Sequence, residues 1–148
     1  MKSIFDPAAR AEVAARFRGI PPDRRPHWGQ MDAPRMLCHV SDALRVAVGD
    51  LPAKSKQKRM FTNPVMRYLA IYVLPWPKGT PTAPEMLSTV PASWDADMDG
   101  FVALLERAAA LGPGGKWAPH PLFGNISGKT WGDLAWRHLD HHLRQFGA

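Results

Sequence analysis

The chain has 148 residues, 45% hydrophobic and 22% charged, a composition typical of a folded globular protein and not of a disordered one. This length fits one domain, spanning residues 1–148, and is short for two. The formal net charge of +6 permits binding to nucleic acid, a membrane surface or an anionic substrate, but requires none of them.

The N-terminal segment predicts a helix and no export signal. Asp6 followed by Pro7 is typical of an N-cap and a first helical residue, and the helix is expected to run to Arg18. The segment lacks the apolar run of a signal peptide, and the longest apolar stretch, 68–76, is too short to span a bilayer. A single cysteine, Cys38, allows no internal disulfide, so we expect a cytoplasmic protein without a membrane partner.

A second helix is predicted from Asp32-Ala33-Pro34 to Gly49, because its apolar residues recur at the spacing of one helical face. The polar loop that follows carries four basic residues, which are Lys54, Lys56, Lys58 and Arg59. It lacks the interleaved aromatic residues of a nucleic-acid site. We therefore expect a solvated loop and no nucleic-acid partner.

A third helix is predicted from Asn63-Pro64 to Leu74, with a strand as the alternative for 70–74. The proline-rich segment 75–85 then shows no periodicity, and a long ordered loop in a small domain is often functional. It could line a pocket with Trp76, in which case Glu85 is a candidate catalytic acid or base. Alternatively, it is a rigid segment that covers apolar surface.

Two further helices complete an all-α prediction. Ser93 is the expected N-cap of the fourth, which ends near Leu111. The fifth is expected from Ser127 or Lys129 to Phe146. In the loop between them, His120 either lines the same pocket as Trp76 or caps the last helix.

Histidines are concentrated in the last helix. His138 and His142 lie four residues apart within its apolar face, with His141 at the edge, whereas Asp140 and Arg144 fall on the opposite side. Two imidazoles at i and i+4 can ligate one metal ion. The alternative is that hydrogen bonds, to the backbone or to one another, satisfy both rings.

A third ligand could come from the second helix. His39 lies at the border of its apolar face and would reach His138 and His142 if the two helices pack together. Three neutral histidines and a water make up an open, catalytic type of zinc site. The alternative for His39 is an ordinary, partly buried histidine.

Three residues near the histidines in sequence also need interpretation. Two of them, Asp42 and Gln145, each have two possible roles, and the third, Cys38, is expected to lie outside the histidine site. Asp42 could orient an imidazole or act as a base, or could be a solvated aspartate. Gln145 lies on the same side as the histidine pair and could support it, or could be a polar residue at the helix end. Cys38 points away from His39 around the helix, which indicates packing and not ligation.

Several segments, in order along most of the chain, resemble the DinB/YfiT-like superfamily and an uncharacterised branch of it. The segments are Met36–Asp42, Pro75–Gly79, Thr82–Glu85, His120–Gly124 and Trp136–Phe146. The resemblance implies a DinB-like four-helix bundle that holds a divalent metal through His39, His138 and His142. It places His141 outside the ligand set.

The resemblance also implies a range of functions. The superfamily includes thiol-dependent S-transferases, a mycothiol-dependent isomerase and DNA-damage-induced proteins of unclear activity. Zinc is the first candidate metal, with nickel and iron as alternatives. The expected partners are a small-molecule substrate, such as a low-molecular-weight thiol, and a second copy in a homodimer. A metal-dependent transferase or hydrolase is one hypothesis, and a non-enzymatic, metal- or ligand-binding stress-response protein is the other.

Overall fold

The computed structural model of the protein describes residues 1–55, 59–78 and 82–148, which form α-helices and no β-strand. The helices are α1 (Pro7–Arg18), α2 (Ala33–Val48), α3 (Pro64–Tyr68), α4 (Trp94–Ala110) and α5 (Gly128–Gln145). The all-α prediction is confirmed. Residues 56–58 of the predicted basic loop, with Lys56 and Lys58, and residues 79–81 of the proline-rich loop lie outside the described residues.

Side-chain caps fix where the long helices begin and end. The Asp32 carboxylate accepts a hydrogen bond from the backbone N–H of Arg35, and Ser93 and Ser127 cap α4 and α5 in the same way. Gly49 ends α2 in the left-handed conformation, with φ 89°, which favours glycine. These caps confirm the predicted helix boundaries to within one or two residues.

The four long helices share one apolar core. α2 packs against α4 and α5, and α1 packs against the same two helices. Phe17 and Phe101 meet at its centre with ring centroids 4.7 Å apart, and both are fully buried. Burying each such side chain stabilises the fold by about 1.5–3 kcal/mol. Within the described ranges, no helix has the length and hydropathy needed to cross a bilayer.

The third predicted helix is α3 followed by a π-helical turn, Leu69–Val73. The strand alternative for 70–74 is therefore wrong. The Arg137 guanidinium donates to the backbone carbonyls of Ile71 and Leu74, and the Trp76 indole N–H donates to that of Ala70 at 3.1 Å. The two Arg137 bonds tie the turn to the side of α5, where Ile71 packs in a second, smaller apolar cluster with Phe123 and Leu134.

Residues 84–89, here called the strap, cross α2. They comprise a 3-10 turn, Pro84–Leu87, and the next two residues, Ser88 and Thr89. The strap packs on the side of α2 that carries His39 and Asp42. It therefore supplies one wall of the region between α2 and α5.

Candidate metal centre

Helices α2 and α5 bring three histidines to one point. The Nε2 atom of His138 lies 3.1 Å from Nε2 of His39 and 3.1 Å from Nε2 of His142. The three potential ligand atoms all lie within 4.8 Å of one another. The pair on α5 is aligned by its one-turn spacing, and the packing of α2 against α5 supplies the third ring.

Hydrogen bonds at the far side of two rings fix where their protons are. Nδ1 of His39 lies 3.0 Å from the carbonyl oxygen of Met86, and Nδ1 of His142 lies 2.8 Å from Oε1 of Gln145. Because both oxygens can only accept, each Nδ1 carries the proton and donates it. In the neutral rings, the Nε2 lone pairs therefore point toward the shared centre, as in metal-ligating histidines.

The donor set fits a divalent metal ion. Four-coordinate zinc with Zn–N distances of 2.0–2.1 Å holds its nitrogens about 3.3 Å apart, close to the 3.1 Å separations seen here. In the described part of the chain, this group consists of three histidines. The residues outside it, Lys56, Gln57, Lys58, Gly79, Thr80 and Pro81, include no other His, Cys, Asp or Glu. Three neutral imidazoles are the donor set of an open site.

Burial keeps these imidazoles neutral. His39 and His142 are buried, whereas His138 is partly exposed. Burial lowers the pKa of His39 and lowers that of His142 to about 3. The pKa of His138 is well below its usual range because of burial and the neighbouring His142 and His39. Neutral imidazole is the form that binds metal, so the site needs no deprotonation at neutral pH.

Aromatic and basic side chains form the rim of the centre. The His141 ring lies between two indoles, with its centroid 5.8 Å from that of Trp76 and 6.0 Å from that of Trp28. Trp76 also lies 6.0 Å from His138. The Lys78 ammonium is 4.6 Å from the Trp28 ring, and Arg137 is 5.1 Å from the Trp76 ring. The rim is thus positively charged.

The structure places the two carboxylates singled out in the sequence at the strap, Asp42 on the face of α2 that bonds to it and Glu85 within it. Asp42 is only 1% exposed, so its interpretation as a solvated aspartate is wrong; its oxygens accept from Arg45, Ser88 and Thr89. Glu85 is part of the strap itself, where its Oε1 accepts from the backbone N–H of Lys54 at 3.3 Å.

His120 is not part of the three-histidine group and lies in a tight turn. Its Nδ1 accepts from the backbone N–H groups of Leu122 at 3.1 Å and Phe123 at 3.2 Å. The ring packs against Phe123 and Trp131, and burial lowers its pKa to about 4. Ser127, not His120, caps α5.

Sequence reasoning missed two supports of the centre. The first is the backbone carbonyl of Met86, which the sequence cannot indicate because every residue has a backbone carbonyl. The backbone carbonyl of Trp28, to which Gln145 donates at 2.6 Å, comes from a connection without periodicity. The only hint was Gly29, which adopts φ 83° and thereby marks a special backbone conformation.

Comparison with known proteins identifies the family. The chain belongs to DUF1569, a family of proteins of unknown function, whose profile matches residues 23–148. The matched region contains all three histidines of the centre and excludes the whole of α1. No curated protein and no solved structure matches the chain.

Proposed function

We propose that the protein is a metal-dependent enzyme whose divalent ion is held by His39, His138 and His142. The observation that carries this proposal is the convergence of three imidazole Nε2 atoms, in two of which, His39 and His142, the ring proton is held on Nδ1 by a hydrogen bond elsewhere. Zinc is the first candidate, with nickel and iron as alternatives, because imidazole suits all three.

When bound, such an ion supplies Lewis-acid chemistry, which lowers the pKa of a water or a thiol and makes it nucleophilic near neutral pH. The residues of the chain orient the three imidazoles and enclose the site. Met86 and Gln145 hold the Nδ1 protons, and Trp76 shields one side of His138. Glu85, whose neighbour Met86 contacts His39, is the candidate acid or base.

The resemblance to the DinB/YfiT-like superfamily supports a reaction on a small molecule. The reaction is either transfer of a group to or from a low-molecular-weight thiol, or hydrolysis. The four long helices around one core, with the ligands on α2 and α5, are compatible with the DinB-like bundle. In this proposal the protein acts in the cytoplasm as a homodimer, and its partner is a small molecule.

Metal analysis of protein purified without a histidine tag tests the proposal. We expect about one divalent ion per chain in the wild type and none in His138→Ala. His27→Ala, a substitution at an exposed histidine, is the matched control and should retain the ion. A wild type that binds no divalent ion after incubation with zinc, nickel or iron would overturn the proposal.

An assay for catalytic turnover distinguishes the metal-dependent enzyme from the non-enzymatic alternative. Metal-loaded protein should transfer thiols to electrophilic acceptors or hydrolyse small esters and amides, and chelated protein should not. Tight metal binding without either activity would instead favour a metal- or ligand-binding stress-response protein.

A further inference from the structure

We propose that Asp42 is a positioning residue of the metal centre and that it acts through the strap, residues 84–89, without touching an imidazole. This inference rests on the proposed function. It explains why a carboxylate that is 1% exposed lies one helical turn after His39.

Asp42 holds the strap by a dense set of hydrogen bonds. Its Oδ1 accepts from the Thr89 hydroxyl at 2.6 Å, and its Oδ2 accepts from the Thr89 backbone N–H at 3.0 Å and the Ser88 hydroxyl at 3.3 Å. Arg45 balances the charge from the next turn of α2, at 2.8 Å, and also donates to the Thr89 hydroxyl at 3.1 Å. The end of the strap is thus fixed to α2.

The two contacts between α2 and the strap are in matching register. His39 meets the carbonyl of Met86, and three residues further along both segments Asp42 meets Thr89. Residues three apart on a helix share a face, so both side chains reach the same neighbouring segment. A rigid strap therefore places the Met86 carbonyl where the Nδ1 proton of His39 requires it.

Loss of the Asp42 contacts should free the strap and withdraw that carbonyl. His39 would then lose the partner that fixes its proton on Nδ1, and its Nε2 lone pair would no longer be held toward His138. Loss of such a partner to a ligating histidine typically weakens metal binding about 10–100-fold.

The test compares Asp42→Asn with a matched buried aspartate outside the centre. Asp133 is 3% exposed and bonds Lys129 and Tyr72, so Asp133→Asn controls for the loss of a buried carboxylate. Zinc affinity is measured by competition with a chelator, and coordination geometry by the Co²⁺ absorption spectrum. We expect Asp42→Asn to bind zinc about 10–100-fold more weakly, with an altered Co²⁺ spectrum, and Asp133→Asn to match the wild type in both.

A second pair of variants keeps the proposal testable if Asp42→Asn does not fold. Thr89→Val removes the hydroxyl that donates to Asp42, whereas Thr89→Ser keeps it. We expect weaker zinc binding in Thr89→Val and near wild-type binding in Thr89→Ser. Equal affinity and equal spectra in Asp42→Asn and Asp133→Asn, or in Thr89→Val and Thr89→Ser, would overturn the role of Asp42.

A measurement on metal-free protein distinguishes failure of this inference from failure of the proposed function. Long-range ¹H–¹⁵N NMR reports which ring nitrogen of His39 is protonated. We expect the proton on Nδ1 in the wild type and a mixture of tautomers in Asp42→Asn. If the wild type binds no metal but the tautomer shifts, the proposed function fails and the positioning role stands; an unchanged tautomer overturns the positioning role.

Discussion

The side-chain amide of Gln145 donates a hydrogen bond to the backbone carbonyl of Trp28, 117 residues earlier, at an Nε2–O distance of 2.6 Å. The backbone repeats this link, because the N–H of His27 donates to the carbonyl of Gln145 at 2.7 Å. The connection between α1 and α2 is thereby fastened to the end of α5. Since Oε1 of Gln145 also accepts from His142, one side chain joins that connection to the candidate metal centre.

We predict that Gln145→Leu weakens both the fold and the metal site. The Trp28 carbonyl and Nδ1 of His142 each lose a partner, and such a buried unpaired group costs about 1–3 kcal/mol. Metal affinity should fall about 10–100-fold. Gln145→Glu is the informative control, because it keeps an acceptor for His142 but loses the donor for the Trp28 carbonyl. Urea unfolding should therefore show a loss of stability in Gln145→Glu. Competition with a chelator should show that its metal affinity is retained. Equal metal affinities for the two variants would contradict this division of roles.

We predict that Gly29→Ala disturbs the metal centre, whereas Gly49→Ala does not. Both glycines have positive φ, 83° and 89°, so alanine is strained at each by about 1–2 kcal/mol. A Cβ at position 29 would also lie 2.6 Å from Nε2 of Gln145, while position 49 has open space. Gly29→Ala should therefore cost more in urea unfolding and reduce zinc affinity. Identical losses of stability with unchanged affinity would show that the Gln145 contact is unimportant.

We predict that His120 makes the stability of the metal-free protein depend on pH. Its pKa is lowered from 6.5 to about 4 in the folded state, so the unfolded chain binds the extra proton between these values. Its stabilising contribution is present above pH 6.5 and declines as the pH falls toward 4, by about 3 kcal/mol at most. His120→Asn keeps an acceptor near the Nδ1 position but does not titrate. Urea unfolding should show the stability advantage of the wild type over His120→Asn shrinking as the pH falls; parallel pH profiles would contradict the prediction.

We predict that Arg137 holds the π-helical turn against α5. Arg137→Met should increase hydrogen exchange of the Leu74 amide, which donates to Leu69 at 2.8 Å, by at least about tenfold, because hydrogen bonds to charged groups contribute about 1.5–3 kcal/mol each. Arg137→Lys should restore only part of the protection, since an ammonium cannot span both carbonyls as a guanidinium does. Arg144→Met, at a mostly exposed arginine on the same helix, is the control and should leave exchange over 69–76 unchanged.

Sequence patterns were sufficient to predict the helices whose first or last residues are typical capping residues. Asp32, Ser93 and Ser127 are N-caps with side-chain oxygens, and Gly49 supplies the left-handed residue after α2. The π-helical turn was not predictable, because its register is set by contacts with α5 from distant residues. For the same reason the pattern, which placed Asp140 opposite the apolar face, did not indicate that Arg16 of α1 covers it and bonds its carboxylate at 2.8 Å.

The candidate site likewise has parts that the sequence predicts and parts that depend on tertiary packing. The alignment of His138 and His142 follows from helical geometry and needs no tertiary information. The approach of His39 depended on which helices pack together, and the resemblance supplied that expectation. The contact of Asp42 with Thr89 had no local signal, because the strap lies 47 residues away along the chain and is not periodic.

The separation of the ligands along the chain sets the order in which the centre can be completed. His138 and His142 are adjacent as soon as α5 is helical, but His39 joins them only after α2 has packed against it, across 99 residues. At about 5–20 residues per second, His39 leaves the ribosome about 5–20 s before its partner His138. The three-histidine group is therefore complete only once α2 and α5 have packed together, so an ion bound by all three rings would report the native packing of these two helices.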